Sequence, residues 1–130
     1  MLGLPYYTDD LVTIYNADCR SGLPELPGGI ISLVMADPPW QRGDQFWSYR
    51  ILADMCPRLM EYNASLLTIV GHSTLPYAFD CFRGKLRFQW ILCMNQFDGR
   101  HSMLPFGLEV MWKPILWFTK YPGPYPAKMR

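Results

Sequence analysis

Apolar residues fall along this chain in short dense runs, separated by glycine, proline and charged positions. Residues 30–36 (IISLVMA) are apolar almost without interruption. A run of that length without polar alternation predicts a strand covered on both faces, as in a sheet sandwiched by helices. Residues 65–71 predict a second buried strand, 88–94 a third and 114–119 a fourth. Upstream, Val12, Thr13, Ile14 and Tyr15 predict a short first strand closed by Asn16, after a leading arm over residues 1–10. Residues 16–29 carry Gly22, Pro24, Pro27, Gly28 and Gly29, which leaves room for one helical turn.

Two stretches follow a different period. Phe46, Tyr49, Leu52, Ala53, Cys56, Leu59 and Met60 are spaced by threes and fours. They predict a helix over 46–62 packed by one face, kinked or restarted near Pro57. A shorter helix is expected over 74–82, with Ser73 or Thr74 as N-cap and a stop near Gly84. Residues 95–113 form a long irregular connection, and loops of that length are usually functional or mobile. The Pro-rich tail 121–130 cannot continue a sheet. Strand, helix, strand, helix, strand is the grammar of an open, mostly parallel α/β sheet with flanking helices.

Composition narrows this picture only a little. A chain of 130 residues, half hydrophobic and 15% aromatic, can bury a core as one domain, with its ordered part over 12–120. The formal net charge of +1 announces no polyanion partner, although a local basic stripe is enough for phosphate contacts. Cys19, Cys56, Cys81 and Cys93 form no C-x-x-C pair and predict no metal site; they read as reduced, mostly structural thiols of a cytoplasmic protein. No apolar stretch approaches about 18 residues, so no membrane span is expected.

The candidate chemistry lies just past the first buried run, at Asp37-Pro38-Pro39-Trp40. In an open α/β sheet, ligands bind at the carboxyl ends of the strands, where Asp37 should emerge. Two prolines hold the backbone extended and remove two amide donors, leaving carbonyls free to accept. Such a turn suits an exocyclic NH2 on an aromatic ring: Asp37 and the Pro38 carbonyl each accept a hydrogen while Trp40 stacks on the ring. Accepting both hydrogens favours a pyramidal nitrogen and steers its lone pair at an electrophile. A base reaches such a pocket only when unstacked. Read without context, the same four residues are equally a strand-ending turn with a packed tryptophan.

This tetrapeptide resembles the catalytic motif of S-adenosylmethionine-dependent DNA methyltransferases that modify adenine N6 or cytosine N4. Residues 12–40 are similar to the opening of the permuted group, in which the catalytic half precedes the cofactor half, and residues 64–71, 88–96 and 113–120 resemble later strands of that half. The resemblance implies a Rossmann-like methyltransferase fold, S-adenosylmethionine as cofactor and DNA as partner. Asp37, Pro38, Pro39 and Trp40 would be catalytic, with adenine N6 as target. It also implies that Asp18, Cys19 and Asp37 lie by the cofactor, Asp18 near its adenine amine. From the residues alone, Asp18 is equally an Asx-turn capping the next helix. The Gly-rich turn that the family places after a strand is absent, so the cofactor half would be missing or come from a second chain or domain. A homodimer and a restriction-modification setting also fit the family.

Asn95 and Gln96 end a strand and are candidates to read a base edge. Arg42, Arg100 and His101 are candidate phosphate contacts, or simply solvated. His72 reads as a loop histidine, and Trp112 and Trp117 as core. Two other functions compete. Messenger-RNA adenosine methyltransferases also use Asp-Pro-Pro-Trp, and a non-catalytic nucleic-acid-binding remnant would lack the Gly-rich turn.

Overall fold

The computed structural model describes residues 2–39, 42–96 and 110–121. Trp40, Arg100, His101, most of the 95–113 connection and the tail beyond Tyr121 lie outside them.

The chain opens with a hairpin, β1 (Tyr7–Thr8) against β2 (Thr13–Ile14), forming a two-stranded sheet of its own. Its turn is held by Asp9, whose Oδ1 accepts the amides of Leu11 (2.8 Å) and Val12 (2.7 Å). The first expected strand is therefore real but stands apart from the main sheet, and part of the leading arm is its partner. One helical turn, α1 (Cys19–Gly22), follows and continues into a 3-10 turn (Leu23–Glu25).

The main sheet contains β3 (Ile31–Ala36), β4 (Met60–Ile69), β5 (Arg87–Asn95) and β6 (Trp112–Thr119), in the spatial order β3-β4-β6-β5. β3 runs parallel to β4, whereas β6 lies antiparallel between β4 and β5. Three strands therefore point one way, and the fourth is inserted against them. α2 (Arg42–Leu59) and α3 (Leu75–Phe82) both cover the same face. That face carries Leu66 of β4 and Leu116 and Phe118 of β6, packed beneath Tyr49, Ala53, Cys56, Ala78 and Phe82. The Phe82 and Phe118 rings lie 4.5 Å apart at the centre of this core.

Several expectations need correction. β3 is not covered on both faces: Leu33 is 50% and Met35 73% exposed. It is an outer strand, and no helix among the described residues packs on its second face; β5, the other outer strand, is likewise not the buried strand expected over 88–94, since Trp90, Ile91 and Leu92 are exposed. Pro57 does not restart α2 as a second helix, and residues 60–62, expected to end that helix, open β4 instead. The proline sits in the last turn, so only one intrahelical bond is lost before β4 takes over at Met60. Thr74 occupies the N-cap position of α3 without capping it, because its hydroxyl donates to the Gly71 carbonyl (3.0 Å). The cysteines are not mostly structural: Cys56 is buried and Cys81 half-buried, but Cys19 and Cys93 are exposed.

The link between α2 and the segment before β3 is specific. Arg58 donates to the carbonyls of Leu26 and Leu23 (both 2.8 Å) and Pro24 (3.2 Å), clamping the 3-10 turn to the end of α2. Gly29, at φ 70°, then turns the chain into β3, a backbone region that favours glycine. No helix among the described residues is long and apolar enough to cross a membrane.

Candidate active site at the carboxyl edge of the sheet

Because β3, β4 and β5 are co-directional, their carboxyl ends share one edge with the start of β6. Across it lie Asp37, then Gly71 and His72, then Trp112, then Asn95. The Asp37 side chain is exposed, Pro38 is buried and Pro39 exposed, so the turn is anchored by its middle. Among the described residues no donor bonds the Asp37 carboxylate, which leaves its oxygens open to a ligand.

Behind Asp37 stands Tyr49 of α2, fully buried. Its hydroxyl has no partner of good geometry, although it lies beside Thr74 and the Gly71 backbone and within electrostatic reach of Asp37. Burial raises the Tyr49 phenol above its ordinary value, and the Asp37 charge adds to the rise. Tyr49 is therefore a neutral hydroxyl within electrostatic reach of the Asp37 turn. Thr68 Oγ1 and His72 Nε2 are likewise buried without a hydrogen-bond partner. Thr68 pairs with Ala36, the residue before Asp37. Thr68 and His72 lie towards this edge of the sheet, and Tyr49 stands on the helix covering it.

His72 packs edge-on against Trp112, with ring centroids 4.6 Å apart, and burial lowers its pKa from the ordinary histidine value. Trp112 is thus not core as expected. It is 36% exposed at the sheet edge, whereas Trp117 is half-buried and donates to Ser65 Oγ (3.0 Å).

The remaining candidates divide by distance. Asn95 lies three strand positions from β3, about 14 Å at the usual spacing of roughly 4.8 Å. Asn95 therefore lies across the sheet edge from Asp37 and not beside it. Its Oδ1 accepts from Cys93 Sγ (3.5 Å), and the Gln96 amide donates to the Met111 carbonyl (2.9 Å). Arg42 opens α2, but its side chain, like Trp40, Arg100 and His101, lies outside the described residues.

Asp18 N-caps α1, accepting the Arg20 amide (2.8 Å), and it is also paired with the Arg20 guanidinium. Those contacts hold its carboxyl below the usual carboxylate range. The guanidinium in turn lies over the Trp47 ring at 5.1 Å. Asp18 and Cys19 line a hollow of about 130 Å³ with Leu2, Tyr15 and Leu23. Cofactor pockets usually enclose about 300–1,000 Å³. A hollow this small, beside a carboxylate already engaged by an arginine, does not fit a whole nucleoside cofactor. The residues sequence reasoning passed over are Tyr49 and Phe46, read only as positions on the packed face of a helix, and Arg20, Arg50 and Tyr77. Their sole signal was an aromatic and arginine density around the start of α2.

No family model matches the chain, and no curated protein matches its sequence. Solved structures do. A candidate DNA modification methylase from Thermus thermophilus, complexed with S-adenosyl-L-methionine, superposes with a TM-score of 0.65 at 15% identity, covering 86% of this chain and 54% of that one. Another structure of the same protein gives 0.62 at 14% identity, covering 87% and 56%. The M1.HpyAVI–SAM complex gives 0.52 at 12%, covering 70% and 45%. The chain spans about half the length of the solved proteins it matches. On this likeness the chain has the α/β Rossmann-like fold of S-adenosylmethionine-dependent methyltransferases, incomplete relative to its neighbours.

Proposed function

We propose that this chain carries the base-amine half of an S-adenosylmethionine-dependent DNA methyltransferase, with adenine N6 as the target. The observation that carries the reading is the open Asp37 carboxylate, on a buried-proline turn at the carboxyl edge of a methyltransferase-type sheet. Asp37 and the Pro38 carbonyl accept the two hydrogens of an exocyclic amine, and Trp40 stacks on the unstacked base. Asp37 acts by position and charge, since the amine proton can leave after the nitrogen has attacked. Tyr49 keeps water and competing cations away from the back of the turn. The methyl group is supplied by S-adenosylmethionine, for which the Asp18 hollow alone is too small.

A complementary α/β half, carrying the Gly-rich turn, completes the cofactor site from a further segment or a second chain. Two features support that partner: the outer edge of β3 is unpaired among the described residues, and the second face of the sheet is open and apolar. The matched neighbours are about twice as long as this chain.

The test is methyl transfer from labelled S-adenosylmethionine to duplex DNA, single-stranded DNA and single-stranded RNA. Asp37→Ala should lower transfer by about 10²–10³-fold, the usual loss when a charge-stabilising group is removed. Full activity in Asp37→Ala would sink the assignment of the turn. Transfer to RNA alone would favour the adenosine-in-RNA reading, which Trp40 supports. Absence of both transfer and cofactor binding would favour a non-catalytic remnant.

A further inference from the structure

Past the catalytic turn, the first turns of α2 face α3 across a hollow of about 510 Å³ lined by Gly43, Phe46, Trp47, Arg50 and Tyr77. Phe46 and Arg50 are four residues apart, on one side of α2. Tyr77 meets both: its ring stands edge-on to Phe46 with centroids 4.5 Å apart, and the Arg50 guanidinium lies over its face at 5.7 Å. Its hydroxyl donates to the Phe46 carbonyl (3.4 Å), which fixes the ring's orientation. Trp47 forms a wall: its Nε1 donates to Asp44 (2.9 Å) and Arg20 covers its ring. One oxygen of Asp44 is thereby engaged, and Arg50 is the exposed cation lining the hollow. Neither core packing nor the catalytic turn requires an exposed arginine held flat on a tyrosine beside an exposed phenylalanine.

We infer that this hollow binds the nucleotide flanking the target base, stacking its base on one ring of the perpendicular Phe46–Tyr77 pair and against the edge of the other, and pairing its phosphate with Arg50. Aromatic faces joined to a guanidinium are the chemistry of single-strand nucleic-acid platforms, where stacking tolerates any base and arginine neutralises the backbone. Continuity with the catalytic turn supports this occupant. Gly43 follows Asp37 by six residues, a chain reach of about 21 Å at most. Tyr49, which feels the Asp37 charge, lies one helical turn from Phe46. On the proposed function, a strand whose target base is drawn out to Asp37 has this side of α2 within reach. The inference rests on the proposal that the substrate is a nucleic acid, and it assigns the hollow no part in the chemistry.

The experiment is fluorescence anisotropy of a labelled single-stranded deoxyoligonucleotide over a series of salt concentrations, with each variant's fold checked by circular dichroism. Arg50→Ala should reduce the slope of log K against log salt by about 0.7, the loss of one phosphate contact on a single strand, and Arg50→Lys should restore it. Tyr77→Ala should weaken binding roughly 5- to 150-fold without altering the slope, as loss of one stacked base does, whereas Tyr77→Phe should bind like the wild type. Gly43→Leu should weaken binding by filling the hollow, since a side chain there meets no neighbouring atom within 4 Å. Wild-type binding that Arg50→Ala, Tyr77→Ala and Gly43→Leu all leave unchanged would overturn the inference and spare the proposed function. A wild-type chain that binds no nucleic acid would overturn both.

Discussion

His72 shows at the scale of one side chain how this sheet edge is held. Its Nε2 is buried without a hydrogen-bond partner, and its ring is fixed against Trp112. Burial disfavours the charged imidazolium, so its folded pKa lies below the ordinary value of 6.5. The sign follows from linkage. Above pH 6.5 both folded and unfolded states hold a neutral ring, and the stabilisation is complete. As pH falls below that value the unfolded chain takes up the proton first, and stability is lost until the folded pKa is passed. Urea midpoints measured from about pH 7.5 down to about pH 5 should therefore fall, and His72→Gln should flatten the fall. An unchanged slope in His72→Gln would mean that the ring is solvated. Hydrogen bonds also hold Asp9, Asp18 and Glu25 below their ordinary values; these are acids, so the contribution of each is present above its ordinary carboxylate pKa and lost only as pH falls below that range. Asp37 is the opposite kind of residue, open and exposed, which is what a group awaiting a ligand requires.

Among the elements, β4 carries the asymmetry of the whole sheet. Ala64, Leu66, Thr68 and Val70 are buried beneath the helices, whereas Ser65, Leu67 and Ile69 are only half-covered on the other side. Along the open face, Met35, Leu67, Trp117 and Trp90 stand in one cross-strand row. Its two ends, Met35 and Trp90, are 73% and 66% exposed. Substitution should read this directly. Leu66→Ala leaves a cavity in the core and should cost about 2–5 kcal/mol. Met35→Ala should stay within about 0.5 kcal/mol, because that side chain is not removed from water on folding. Equal losses in urea titrations would mean that something covers the open face in the isolated chain. Pro57 teaches the same lesson within α2: its flanking residues Cys56 and Leu59 are buried, and that packing outweighs one lost hydrogen bond near a helix end.

For the molecule as a whole, the face and the β3 edge that no described residue covers are a liability unless something docks there. The proposed complementary half would bury both. The isolated chain should therefore bind an apolar fluorescent dye, and Met35→Lys combined with Trp90→Lys should reduce that binding without shifting the urea midpoint appreciably. Undiminished dye binding in the double variant would show that the dye reports another surface. The same test on the chain together with its complementary half should find the face protected.

Much of this was legible from residue order. The strands over 30–36, 65–71, 88–94 and 114–119 and both helices were readable because period and apolar density are local properties. The position of Asp37 at a strand's carboxyl end followed from chain order as well, as did the absence of a Gly-rich turn. Partnership was not legible. An apolar run predicts burial, but only the sheet order shows that β3 lies outermost, with the helices on one side. Nor could spacing reveal that Asn95 stands three strands from Asp37, or that Arg50, Phe46 and Tyr77 meet across two helices. Sequence by itself determined the elements and the place of the Asp37 turn at a strand's end, because those depend on neighbours along the chain. Tertiary structure decided which faces stay open and which side chains converge, because those depend on contacts between residues far apart in sequence.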